Sequence, residues 1–286
     1  MKILTAAVLS LAFTGAPGAV VVYAQTAPKP AAPAPAKPAA AAPAKPAAKP
    51  AANPAARSTT PRVAPEVVEA EAVQALRTMS AFLTTQQALG LTSNASLDIV
   101  TNQGQSIQMD GVVRYKIRKP DAFVIDLDTA GKKRRYYYNG KTFTVQAPAM
   151  GFYATADAPP TIREALAVLN DRFGIQLPLE DLFRWNDAED PARNLTSGFK
   201  VGDAVVDGAA ADHYAFRQPR VDWQIWIKKG DQPLPLKIVI TDQTDPAKPA
   251  YTARLSWTLN PTFAAADFTY TPSSDAMLIR MAEFGN

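Results

Sequence analysis

One imidazole, that of His213, stands alone in a chain of 286 residues. It is the only side chain here whose ordinary pKa lies near neutrality, so hydrolytic or zinc chemistry would have to lean on it. Two carboxylates are close by in sequence, Asp212 and Asp222. On an adjacent strand and the same face, Asp222 would orient the ring as a general base, as in an esterase. The competing reading is a structural hydrogen bond on the polar side of a strand. No G-x-S-x-G elbow and no glycine-rich phosphate loop accompanies the histidine. The absence of cysteine excludes disulfides, thiolate metal sites and a cysteine nucleophile. No cofactor and no metal is expected.

Carboxylates gather at Glu180-Asp181 and at Asp187-Ala188-Glu189-Asp190. Glycosidases need two facing carboxyl groups, and calcium loops need oxygen ligands at fixed intervals. Neither spacing is met, so a solvated loop or helix cap is the expectation. The run Lys132-Lys133-Arg134-Arg135-Tyr136-Tyr137-Tyr138 mixes cations with rings, as nucleic-acid surfaces do. Two other readings compete with that one. The first is a hairpin with a charged rim and a tyrosine-packed core. The second is a rim (Lys133, Arg134, Arg135) for the anionic headgroup of an amphiphile whose chain lies on the neighbouring rings.

These residues sit on strands. Trp223, Ile225 and Ile227 alternate with Asp222, Gln224 and Lys228. Leu234, Leu236, Ile238 and Ile240 alternate with Pro235, Lys237 and Thr241. Tyr251, Ala253, Leu255, Trp257 and Leu259 alternate with Thr252, Arg254, Ser256 and Thr258. Successive side chains on a strand face opposite ways, so 205–259 reads as an antiparallel meander with one apolar face. Further strands are read at Ala95–Thr101, at 107–118 and at 123–128. In the hairpin 134–146, Asn139-Gly140 predicts a two-residue type I′ turn that sets Tyr136 opposite Phe143. Two amphipathic helices are read beside them. One covers Pro65–Gln87, with Val68, Ala72, Ala75, Leu76, Met79, Phe82 and Leu83 on its stripe. The other covers 161–173, with Thr161 as N-cap and Gly174 as stop. A short helix is expected at Leu179–Trp185, and a helix or edge segment at 273–284.

Composition divides the chain. Met1–Ala24 has a basic start, an apolar run and small residues around Val22-Tyr23-Ala24, the pattern of a secretory signal cleaved near Ala24; the rival reading is an uncleaved anchor. Residues 25–62 repeat Ala, Pro and Lys without one acidic residue, which predicts an extended polyproline tether. That tether reads as a spacer or, through Lys29, Lys37, Lys45 and Lys49, as a contact with cell wall or membrane surface. Seven of the 30 Lys and Arg precede Val63, which leaves 23 against 26 acidic residues in the domain 63–286. That excess of acid argues against nucleic acid as a partner.

IQLPLEDLF at 175–183, VDGAAADHYAFRQ at 206–218 and VDWQIWIKKGDQPLPLKIVIT at 221–241 resemble a family of predicted periplasmic proteins of unknown function. That family is similar to the outer-membrane lipoprotein carriers and receptors of the LolA and LolB type. The resemblance implies a mainly β (α+β) fold, a strongly curved antiparallel half-barrel whose concave face is covered by helices, in the periplasm. It implies an apolar groove between sheet and helices. Candidates to line such a groove are Tyr115, Ile125, Tyr136, Phe143, Trp223, Ile225, Leu236 and Trp257; plain core is the alternative for each. The function expected is binding of a lipid, acyl chain or lipid-modified segment without catalysis. An envelope protein as partner, or a hydrolase using His213, are the alternatives.

Overall fold

Alternating apolar and polar side chains give each strand one face that must leave water, and pairing the strands edge to edge makes that face continuous. In the computed structural model, which describes residues 67–129, 132–183 and 194–283, this produces one open, curved, twelve-stranded sheet. The strands are β1 (Ala88–Val100), β2 (Ser106–Arg118), β3 (Ala122–Thr129), β4 (Lys132–Tyr138), β5 (Thr142–Ala147) and β6 (Phe152–Asp157). They continue with β7 (Ser197–Val206), β8 (Ala209–Gln218), β9 (Val221–Lys228), β10 (Pro235–Asp242), β11 (Ala250–Leu259) and β12 (Met277–Leu278). Their order is β12-β6-β5-β4-β3-β2-β1-β11-β10-β9-β8-β7. Two meanders, β1–β6 and β7–β11, are thus joined where β1 pairs with β11, from Leu89↔Leu259 to Leu97↔Tyr251. All strand pairings are antiparallel except β12 on β6, so the C-terminal stretch is an edge segment.

Helices α1 (Ala70–Thr85) and α2 (Ile162–Phe173) lie on the same side of the sheet. Ala72, Leu76, Met79 and Leu83 of α1 and Ile162, Leu166 and Leu169 of α2 join one apolar cluster with the inward residues of the strands. Thr161 caps α2 by accepting the Glu164 N–H, and Gly174 ends it in the left-handed region at φ 63°. The N-terminal helix begins later than its stripe predicts. Val67 to Glu69 are extended instead, and Val68 bridges Gly198 on the open edge of β7. An unpaired edge offers backbone groups that an extended segment satisfies and a helix cannot. Gly198 also makes room for the neighbouring strand, since a Cβ there would stand 2.9 Å from the Phe216 ring of β8.

Three local expectations are corrected. The 139–142 turn pairs Tyr138 with Phe143 and Tyr136 with Val145. Only Gly140 takes positive φ, while the Asn139 Oδ1 accepts the amides of Lys141 and Thr142 at 3.1 and 2.9 Å, so the loop is longer than a type I′ turn. The register moves by two, which leaves Tyr136, Tyr138, Phe143 and Val145 on one face. The segment expected as a helix from Leu179 is a 3₁₀ turn, Glu180–Phe183. A bulge in β10 between Pro235 and Lys237 reverses the alternation, so Pro235 is buried while Leu236 leaves the apolar phase. The signal and tether readings, 1–62, and the acidic run 187–190 lie outside the described residues.

Among the described residues, the opposite face carries one small apolar cluster. Ala122 and Val124 of β3 pack against Phe268, with Tyr137 and Phe263 beside them. The stretch after β11 therefore folds back over the outer side of β3 and β4.

Candidate functional site

The covered face collects most of the residues expected to line a groove. Inward from β2 to β5 come Tyr115, Ile125, Tyr136 and Phe143; inward from β9 and β11 come Trp223, Ile225 and Trp257. Leu236 is partly exposed and outside this cluster. The Tyr115 hydroxyl donates to the Pro178 carbonyl at 2.9 Å, and burial pushes its phenol pKa up. Tyr136 and Phe143 stack at 6.1 Å, and Trp223 stacks on Phe216 at 4.3 Å. The Trp257 Nε1–H donates to the Pro235 carbonyl at 2.7 Å.

Packing along this face is uneven. Between α2 and β2–β3 the void among Ile117, Phe123, Ile125, Ile162, Leu166 and Leu177 is about 10 Å³, too small for more than a single water. Toward the tip of the β1–β2 hairpin the cover ends. Met109 pairs with Leu97 and Ile107 with Ile99, in phase with the buried residues. Yet Met109 is 36% exposed and Ile107 41%. The two longest strands outrun their neighbours here: β3 pairs with β2 only from Gly111 onward, and β11 with β1 only as far as Leu97.

The basic run divides by strand parity. Lys133 and Arg135 face outward and pair with Asp128 at 3.1 Å and Asp126 at 3.0 Å. Arg134, opposite Leu127, is in phase with Tyr136 and forms no ion pair with a described residue. Its guanidinium donates to the Lys133 carbonyl at 2.9 Å and touches the Met150 sulfur at 4.0 Å. Burial raises the Tyr136 pKa, and the Arg134 charge opposes that rise. Only one of the three rim cations therefore borders the apolar face.

His213 is on the outer face. Its ring stacks on Trp226 at 4.0 Å, and Nε2 lies 3.0 Å from the Gln224 side-chain oxygen. Burial lowers its pKa, and the Lys237 cation adds to that. Asp222 is opposite Arg217, which it binds through two contacts of 2.6 and 2.7 Å. Asp212 faces the other side of β8 and holds Lys200 at 2.9 Å and Lys229 at 3.3 Å. Neither carboxylate orients the imidazole. Glu180, expected in a solvated loop or as a helix cap, is 2% exposed and accepts the Leu177 amide, because the 3₁₀ turn folds it under α2.

Sequence reasoning passed over Ile107 and Met109 as site residues, and also Ser93 and Tyr251. Each occupies the inward phase of its strand; the signal was an apolar residue too near a hairpin tip, or a hydroxyl in an apolar phase.

Comparisons with known proteins follow this architecture. The chain is similar in fold to an uncharacterized conserved protein from Thermus thermophilus, at 12% identity and TM-score 0.43, covering 73% of this chain and 99% of that one. It is similar to the Mycobacterium tuberculosis lipoprotein LppX, at 12% identity and TM-score 0.41, covering 68% and 98%. A LolA superfamily protein from Nitrosomonas europaea gives 10% identity and TM-score 0.35, covering 70% and 97%. No curated protein matches. A family model described as predicted periplasmic protein (DUF2092) matches residues 72–282, nearly the whole folded region, and the chain belongs to that periplasmic family.

Proposed function

We propose that the domain binds the acyl chain of a lipid or of a lipid-modified segment against the covered face of its sheet, and carries no catalysis. One observation carries this reading: the inward phase of β1 and β2 is apolar again at Leu97, Ile99, Ile107 and Met109, and at the last two it reaches solvent. A face finished as plain core would end in polar side chains at that tip. Arg134 is placed to meet an anionic headgroup on the same side. His213 is then a structural residue, stacked and hydrogen-bonded on the outer face. Residues 1–24 export the chain in this reading, and 25–62 hold the domain at a distance from its attachment.

The purified chain, extracted with organic solvent and analysed by mass spectrometry, should release lipid, and the emptied protein should bind a fluorescent fatty acid. Protein that is empty as isolated and also fails to bind the probe would remove the reading. A second reading is favoured by Met277, Leu278 and Ile279, which expose apolar side chains along the β12 edge. A protein partner from the envelope would cover them, and a crosslinked pull-down that loses its product in Leu278→Asp would support it.

A further inference from the structure

Polar atoms are buried on the covered face where apolar ones would pack as well. Ser93 of β1 is 0% exposed, Tyr251 of β11 4% and Trp223 of β9 5%. The Trp223 Nε1–H has no hydrogen-bond partner among the described residues, and the Ser93 and Tyr251 hydroxyls, which lie close to each other, have none of good geometry. Three other aromatic donors on this face are satisfied: Tyr138 donates to Pro159, Tyr115 to Pro178 and Trp257 to Pro235.

The three side chains lie on one face of the sheet. Strands β1 and β11 are adjacent, and Tyr251 shares a cross-strand row with Ile240 and Trp223. Burial pushes the Tyr251 phenol up to about 12, and a weak hydrogen-bonding interaction with the Ser93 hydroxyl opposes that rise. The row that holds Tyr251 begins at Leu97 and Met109, at the uncovered tip.

Buried polar groups are almost always paired, and an unpaired one costs more than its apolar replacement would. Phe for Tyr251 and Ala for Ser93 would fill the same space without that cost. Their retention is explained if a guest supplies the partner. We propose that Tyr251, Ser93 and Trp223 form a polar subsite that holds the carbonyl of an acyl ester, with the tyrosine and tryptophan donating to its oxygen. The inference rests on the acyl-binding reading above and names the group that the site recognises within such a ligand. A bare hydrocarbon of the same length leaves the donors unpaired and gains only burial.

The test compares methyl palmitate with heptadecane, each displacing N-phenyl-1-naphthylamine from the purified chain. The ester is expected to bind about tenfold more tightly than the hydrocarbon. In Tyr251→Phe the two should bind within about threefold of each other, while the unliganded variant melts at the same temperature or higher, because an unpaired buried hydroxyl has been removed. Ser93→Ala should narrow the preference in the same direction. Equal binding of ester and hydrocarbon by the unaltered chain would overturn the subsite and leave the acyl-binding reading standing. So would an ester preference that survives in Tyr251→Phe, or a large fall in melting temperature, which would show the hydroxyl already satisfied in the empty protein. Binding of neither compound would remove both.

Discussion

Beneath α2 the covered face is closed; at the β1–β2 tip the same face is open. At the closed end Phe123, Phe143, Leu166 and Leu169 pack with a void of about 10 Å³ among their neighbours, and the buried tyrosine there donates to a carbonyl. At the open end Ile107 and Met109 meet solvent, and the row that starts at Met109 leads inward through Leu97 to the buried Tyr251. Strand length separates the two. The closed end is spanned by strands of matched length under a capped helix, whereas β1 and β2 run 13 residues each beside a β3 of 8. Stability is concentrated where the sheet is roofed, and binding is assigned where it is not.

The contrast can be broken at its stable end first. Phe143→Ala should cost about 3–5 kcal/mol in denaturant unfolding, from lost burial and the cavity left behind, without changing affinity for a fluorescent fatty acid. A loss of affinity on the same scale as the loss of stability would join the two ends into one unit. Met109→Asp should do the reverse. Fatty-acid affinity should fall about tenfold, or about 1.4 kcal/mol, with the unfolding midpoint nearly unchanged, since the side chain is already partly in water. Thr161→Ala should cost about 1 kcal/mol of stability through the lost cap on α2 and leave binding alone, checked by the same two measurements. Arg134→Gln should weaken an anionic fatty acid about threefold relative to its methyl ester, because a partly exposed charge contributes little. Equal weakening of both would assign Arg134 to packing.

The smallest effect expected is a pH dependence that belongs to neither end. His213 has a folded pKa held below 6.5 by burial, so near that pH the unfolded chain binds more protons than the folded one. Stability therefore falls as pH drops from 6.5 through the folded value. His213→Gln should flatten the melting temperature across that window. Fatty-acid binding should show no matching inflection, since the ring is on the outer face; an inflection that vanishes in the variant would bring His213 back into the site.

The regular elements were legible because their periods were uninterrupted. β9 buries Val221, Trp223, Ile225 and Ile227 in strict alternation, and α2 carries its cap, stripe and stop in fourteen consecutive positions from Thr161 to Gly174. What escaped was decided by partners distant in the chain. Val68 reads as the start of a helical stripe until the edge of β7 claims its backbone. Leu236 reads as inward until a bulge against β9 reverses the phase. Glu180 reads as part of a solvated loop or as a helix cap until a 3₁₀ turn buries it below α2. The basic run could be seen, but not that parity gives Asp128 and Asp126 to Lys133 and Arg135 and leaves Arg134 on the apolar side.

From its residues alone the chain was committed to an antiparallel sheet with one apolar face and two amphipathic helices to lay against it, because alternation and helical spacing are local and each strand or helix carries its own. How much of that face the helices cover was decided only in three dimensions. Coverage depends on where strands of unequal length end beside one another and which hydroxyls that brings together, and no stretch of sequence holds both sides of such a contact.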